Sequence, residues 1–91
     1  MEVRWSPEAA EDLERIGRRI QQDKPNAARN VVLTLYRGIT DLQTFPNRGR
    51  SGRIEGTREL LFPSLPYIAV YRLHNEAVEI VRIYHAAQDW P

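Results

Sequence analysis

The 91-residue chain has no cysteine, which excludes a disulfide scaffold and every thiolate metal site. Its imidazoles number two, His74 and His85, too few for a structural zinc centre, so the sequence calls for no metal. No apolar run approaches the roughly 20 residues of a membrane span. The acidic opening segment Met1–Asp12 does not read as a secretory leader, and the expectation is a cytoplasmic chain with no membrane partner. Neither a P-loop nor Gly-x-Gly-x-x-Gly is present, so a nucleotide has no glycine cradle and no cofactor is expected. Nucleophilic catalysis lacks its parts as well, since nothing in the spacing marks a Ser–His–Asp set.

What is present is enough for one small domain spanning residues 1–91. Hydrophobic residues make up 42%, sufficient for a core, and a charged fraction of 27% is ordinary for a soluble protein. The net charge of +1 hides an uneven distribution. Residues 1–45 are neutral, whereas residues 46–58 set Arg48, Arg50, Arg53 and Arg58 against Glu55 alone. Lys24 is the sole lysine, and arginine is the side chain suited to bidentate contacts with carboxylate or phosphate. Arg48, Arg50 and Arg53 are therefore target-binding candidates, against the plainer reading of a solvated loop.

Glu2–Trp5 alternates polar and apolar residues, which predicts a short strand. Ser6-Pro7 is a helix start, and Ala9, Leu13, Ile16 and Ile20 follow at helical spacing. Glu11–Arg15 and Glu14–Arg18 are expected as pairs on the solvated face. Asp23-Lys24-Pro25 opens a second helix with Ala28, Val32, Leu35, Ile39 and Leu42 on one face, ending at Phe45-Pro46. So short a connection predicts an antiparallel helix hairpin. Pro46–Thr57 reads as a loop of functional length. Strands are predicted at Arg58–Phe62, Tyr67–Leu73 and Val78–Tyr84, the last two turning at Asn75-Glu76. The fold class is α+β: an N-terminal edge strand, a helix hairpin and a three-stranded antiparallel meander, with the helices on one face.

Unbroken register from that turn pairs Tyr71 with Ile80, Val70 with Val81, and Tyr67 with Tyr84. Ile68, Val70, Val81 and Ile83 then form an aliphatic face for the helices. Tyr67, Tyr71, Arg82 and Tyr84 occupy the other face, either as a wet recognition surface or as a second, minor core.

One chemical constellation remains. Glu55, Arg58 and His85 are a carboxylate, a guanidinium and an imidazole, suited as base, phosphate stabiliser and acid in RNA cleavage through the 2′-hydroxyl. A terminal histidine serves structure more often than catalysis, so the pattern alone is weak.

The element order, with Gly49-Arg-Ser-Gly-Arg-Ile-Glu-Gly-Thr-Arg58-Glu-Leu, Pro66-Tyr-Ile-Ala-Val-Tyr-Arg72 and Val78-Glu-Ile-Val-Arg-Ile-Tyr-His85, strongly resembles the RelE/ParE superfamily. These are toxins of type II toxin–antitoxin modules, also known as plasmid stabilisation proteins, and the resemblance covers nearly the whole chain. It implies growth arrest neutralised by a cognate antitoxin bound in a hetero-oligomer. RelE-like members are ribosome-dependent mRNA endoribonucleases, whereas ParE-like members poison DNA gyrase. Glu55, Arg58 and His85 match the catalytic positions of the YoeB-like nucleases, metal-independent enzymes, with Arg82 and Tyr84 as supporting candidates. Those nucleases follow the histidine with a catalytic tyrosine, where this chain has Ala86 and Ala87. The expectation leans to gyrase inhibition, with Ala86–Pro91 as a further contact candidate. Ribosome-dependent nuclease action is the alternative, and a non-toxic antitoxin-binding relic is the third reading.

Overall fold

The computed structural model describes residues 1–90; Pro91 lies outside them. Strand β1 (Glu2–Trp5) leads into helices α1 (Pro7–Asp23) and α2 (Pro25–Thr40), and a single 3-10 turn (Asp41–Gln43) follows. Strands β2 (Arg50–Ser51), β3 (Arg58–Leu61), β4 (Tyr67–His74) and β5 (Ala77–His85) complete the chain. The sheet order is β1-β5-β4-β3-β2, antiparallel throughout except that β1 runs parallel to β5. The α+β expectation stands, with one addition: Arg50–Ser51, inside the segment expected to be all loop, pairs with β3 as Arg50↔Glu59 and Ser51↔Arg58.

Ser6 joins three elements at once. Its hydroxyl accepts the Ala9 N–H at 3.0 Å as the N-cap of α1 and donates to the Val81 carbonyl at 2.9 Å. Its own N–H donates to the Ile80 carbonyl at 3.0 Å. Lys24 alone separates the two helices, and Pro25 starts α2 where a missing N–H costs nothing. Leu35, Ile39 and Leu42 are fully buried against the sheet. At Gly38 an added Cβ would lie 2.5 Å from the Phe62 ring, so glycine lets that ring rest directly on the helix backbone.

The β4–β5 turn is the two-residue type that a right-twisted hairpin favours. Asn75 and Glu76 both adopt positive φ, 51° and 58°. Register from the turn runs as expected through Tyr71↔Ile80 and then slips, because Val70 pairs with Arg82 and Val81 is left as an extra residue. The expected faces are reversed: the helices cover the face of Tyr71 and Ile80, and the bulge turns Ile83, but not Val81, onto that same face. Ala69, Tyr71, Val78, Ile80 and Ile83 join Leu60 and Phe62 in the core under the helices, with Tyr67 packed against it. Ile68, Val70 and Tyr84 form a second cluster with Val81 and Trp90. Thus Ile68, Val70 and Val81 do not face the helices, and the tyrosines are split between two clusters. The slip in β5 coincides with a change of partner at its edge. Strand β1 ends opposite Ile80, and beyond that point Ser6 and Asp12 of the helical segment take over the edge groups of β5.

Asp12 is the residue that the charge pattern conceals. It sits in the apolar stripe, one turn from Ala9, and is 1% exposed. Its Oδ2 accepts Arg82 Nε at 2.7 Å and the Ile83 N–H at 2.9 Å. Oδ1 accepts Arg82 Nη2 at 3.0 Å and Arg15 Nη1 at 3.1 Å. Arg15 is thereby bound to Asp12, not to Glu11 as the spacing suggested, whereas the Glu14–Arg18 pair forms at 3.6 Å. Among the described residues, no helix is long and apolar enough to cross a membrane.

Candidate functional site

The arginine-rich segment is tied down from below. Tyr71 is fully buried; its hydroxyl donates to the Pro46 carbonyl and accepts the Gly49 N–H, both at 2.8 Å. A Cβ at Gly49 would lie 2.6 Å from the Tyr71 ring, so only glycine admits this approach. Arg58, opposite Tyr71 on β3, donates through Nη1 to the carbonyls of Gly49 at 2.8 Å and Asn47 at 3.3 Å. The Tyr71 hydroxyl and Arg58 Nη1 together hold residues 46–49.

The remaining arginines of the segment also have partners inside the chain. Buried Glu59 accepts Arg50 Nε and Nη2 on one oxygen, at 3.1 and 2.9 Å, and the Arg53 N–H on the other at 3.3 Å. Arg53 Nη1 donates to the Trp90 carbonyl at 2.6 Å. Arg48 stands 4.7 Å over the Phe45 ring and 3.9 Å from Asp41, an exposed arrangement worth little to stability. Arg48, Arg50 and Arg53 keep part of their guanidinium surface in solvent, so a partner can still reach them.

His85 belongs to the other end of the sheet. It pairs with Tyr67, four residues along β4 from the partner of Arg58, which is about 13 Å of strand. Two strand spacings are added across the sheet. Its Nδ1 accepts the Ala87 N–H at 3.0 Å, its ring meets Tyr67 edge-on at 5.5 Å, and its N–H donates to Gln88 Oε1 at 2.7 Å. Glu55 is exposed in the turn before Gly56, whose φ is +84°. The fold therefore does not draw Glu55, Arg58 and His85 into one cluster.

Arg82 and Tyr84 have structural surroundings too. Arg82 is bound to Asp12 and lies 5.6 Å from the Trp90 ring. Trp90 stacks on Tyr84 with centroids 5.6 Å apart. Burial, reinforced by the charge of Glu59, pushes the Tyr84 hydroxyl above its ordinary range and keeps it protonated at neutral pH. Burial also pushes the Asp12 carboxyl up, but hydrogen bonds from Arg82 and Ile83 and the Arg82 charge outweigh it, leaving Asp12 below the usual aspartate range. Arg82 is correspondingly raised by its hydrogen bond to Asp12.

A groove of about 530 Å³ opens on the face bearing the second cluster, lined among others by Ile54, Arg72, Val81, Arg82 and Trp90. Among the described residues no group of three or more His, Cys, Asp or Glu is placed to hold a metal ion. Sequence reasoning passed over two residues that organise this end of the molecule, Asp12 and Gln88. For Asp12 a signal existed, since an acidic residue within the stripe Ala9, Leu13, Ile16 must find a buried partner.

The same fold occurs in known proteins. Residues 3–90 match the family model described as the ParE toxin of type II toxin–antitoxin system, parDE. The protein named "Putative toxin Y4kP" from Sinorhizobium fredii (strain NGR234) is 42% identical over 89 residues, covering 98% of this chain and 92% of its own length. Toxin RelE2 of Caulobacter vibrioides is 34% identical, over 96% of this chain and 97% of its own. Among solved structures, the chromosomal ParDE system of P. aeruginosa matches with a TM-score of 0.86 at 26% identity, covering 93% of this chain and 95% of that one. The RelBE2 toxin–antitoxin complex of Mycobacterium tuberculosis matches with a TM-score of 0.62 at 27% identity, covering 92% and 95%. With its helix hairpin, its sheet and nearly its whole length accounted for, the chain belongs to the ParE toxin family within the RelE/ParE superfamily, the toxins of type II toxin–antitoxin systems.

Proposed function

We propose that this toxin arrests growth by binding DNA gyrase and that a cognate antitoxin neutralises it by forming a complex with it. One observation carries the choice of target: Arg58 turns Nη1 onto the Gly49 and Asn47 carbonyls, four strand positions and two strands away from His85. General acid–base cleavage of RNA needs base, acid and phosphate stabiliser within hydrogen-bond reach of one another's substrate atoms. Inhibition by contact needs only a complementary surface. Arg48 over the Phe45 ring, Arg50, and Arg53 bonded to the Trp90 carbonyl supply cationic and aromatic groups of the kind that dominate protein interfaces. The antitoxin partner is supported by the toxin–antitoxin systems among the solved relatives.

Induced expression in a bacterial host is expected to stop growth, and co-expression of a short open reading frame adjacent to the toxin gene is expected to restore it. Robust growth at verified soluble expression would count against toxicity and select the inert antitoxin-binding module. Growth arrest accompanied by cut mRNA and intact gyrase activity would select the nuclease reading, for which the RelE2 relative stands.

A further inference from the structure

Beside Asp12, helix α1, the end of β5 and the turn after it enclose a polar cleft of about 260 Å³. Arg15, Arg19, Tyr67, His85 and Gln88 line it, together with Asp12 itself. The hydrogen bonds already made decide what each of these groups has left to offer. Asp12 has no charge to spare: its two oxygens accept two bonds from Arg82, one from Arg15 and one from the Ile83 N–H. His85 Nδ1 must present a lone pair to the Ala87 N–H, so in the neutral ring the hydrogen sits on Nε2, a donor. Gln88 Oε1 is taken by the His85 N–H, which leaves the amide NH₂ as its free function. Arg19 makes no ion pair among the described residues, and Arg15 commits one nitrogen to Asp12. With the Tyr67 hydroxyl, the unspent hydrogen-bonding capacity of the cleft is almost wholly donor, and its cations outnumber its single carboxylate.

We propose that this cleft binds a phosphate group, presented by a nucleotide or by a nucleic-acid strand. The lining donors come from three separate elements: a helix, paired strands and a turn. That arrangement fits a tetrahedral oxyanion better than a planar carboxylate, which asks for two parallel donors from one direction. Arg15 and Arg19 are four residues apart on one helix face, neighbours able to bracket one charged group. The site lies at the end of the sheet away from residues 46–49 and does not depend on which target the toxin attacks.

The test is a titration of the intact protein followed by amide chemical shifts, at constant ionic strength, with inorganic phosphate, adenosine monophosphate and a short duplex oligonucleotide. Acetate and a glutamate-rich peptide are the controls. The expected result is a saturable shift centred on Ala87, whose N–H is bonded to the His85 ring, and on Gln88, whose side chain is bonded to the His85 N–H. Arg19→Gln, an exposed change that leaves the Asp12 clamp intact, is expected to weaken binding about tenfold or more. Arg29→Gln, an exposed change on α2, is expected to leave it unchanged. Gln88→Ala should weaken binding from the opposite wall. Oligonucleotide saturating below inorganic phosphate assigns the source to a strand, and the mononucleotide doing so assigns it to a nucleotide. Shifts that are absent, that acetate reproduces, that Arg19→Gln retains or that the acidic peptide elicits more strongly would overturn the proposal. None of these readouts involves growth arrest, so their failure is separate from failure of the gyrase reading.

Discussion

The two ends of the sheet use arginine in opposite ways. At the β2–β3 end, four arginines within residues 46–58 look like a binding loop, yet Arg50, Arg53 and Arg58 are engaged with Glu59, with Trp90 and with backbone carbonyls. At the β5 end, the adjoining helix α1 shows no excess of positive charge in the sequence, but one buried carboxylate holds Arg82 and Arg15 while Arg19 stands unpaired among the described residues. Local charge density is therefore a poor guide to which cations are available. Availability depends on what else folding places within reach, and buried Glu59 and Tyr71 absorb the loop's donors.

The comparison can be broken first at Asp12. Asp12→Ala leaves the half-exposed Arg82 and the buried Ile83 N–H without their partner and is expected to cost about 2–3 kcal/mol, read by chemical denaturation. A loss below 1 kcal/mol would mean that α1 does not close the β5 edge as described. Because the Asp12 carboxyl sits below its ordinary range when folded, its contribution is fully present above the unfolded value of about 3.9. It fades as pH falls through the lower folded value. Asp12→Asn should remove this part of the acid sensitivity, which denaturation curves between neutral and acidic pH would register.

At the other end, Tyr71→Phe keeps the buried ring but strands the Gly49 N–H and the Pro46 carbonyl. The expected loss is about 1–3 kcal/mol, with faster amide exchange confined to residues 46–49. Uniform exchange across the chain would deny that Tyr71 anchors this segment. Ser6→Ala removes the cap of α1 and the bond to Val81, for about 1–2 kcal/mol in thermal or urea unfolding. Smallest of all, Arg48→Ala should change stability by less than about 1 kcal/mol, since its partner is distant and solvated. If Arg48 contacts the target, the same change should weaken inhibition measurably, separating the two roles.

Most of the elements were legible because their signals are local. Ser6-Pro7, the single-residue link before Pro25 and the Asn75-Glu76 turn each fix geometry within a few residues. The sheet faces were not legible, because both faces of β4 are apolar enough to take the helices, and on β5 one inserted residue, Val81, moves Ile83 to the face of Ile80. The partners of that stretch are Ser6 and Asp12, 75 and 71 positions away along the chain. No periodicity in residues 67–85 reveals such a slip. The separation of Arg58 from His85 was hidden for the same reason: sequence places both beside strands but not at which end.

That separation is the central claim, and one measurement addresses it directly. Purified toxin is added in parallel to a gyrase supercoiling reaction and to ribosomes translating a defined mRNA, as wild type and as Glu55→Gln, a change at an exposed side chain. The account predicts lost supercoiling, intact mRNA and no difference between the two proteins. Cleaved mRNA that disappears with Glu55→Gln would contradict it, since Glu55, Arg58 and His85 would then have to act as one centre.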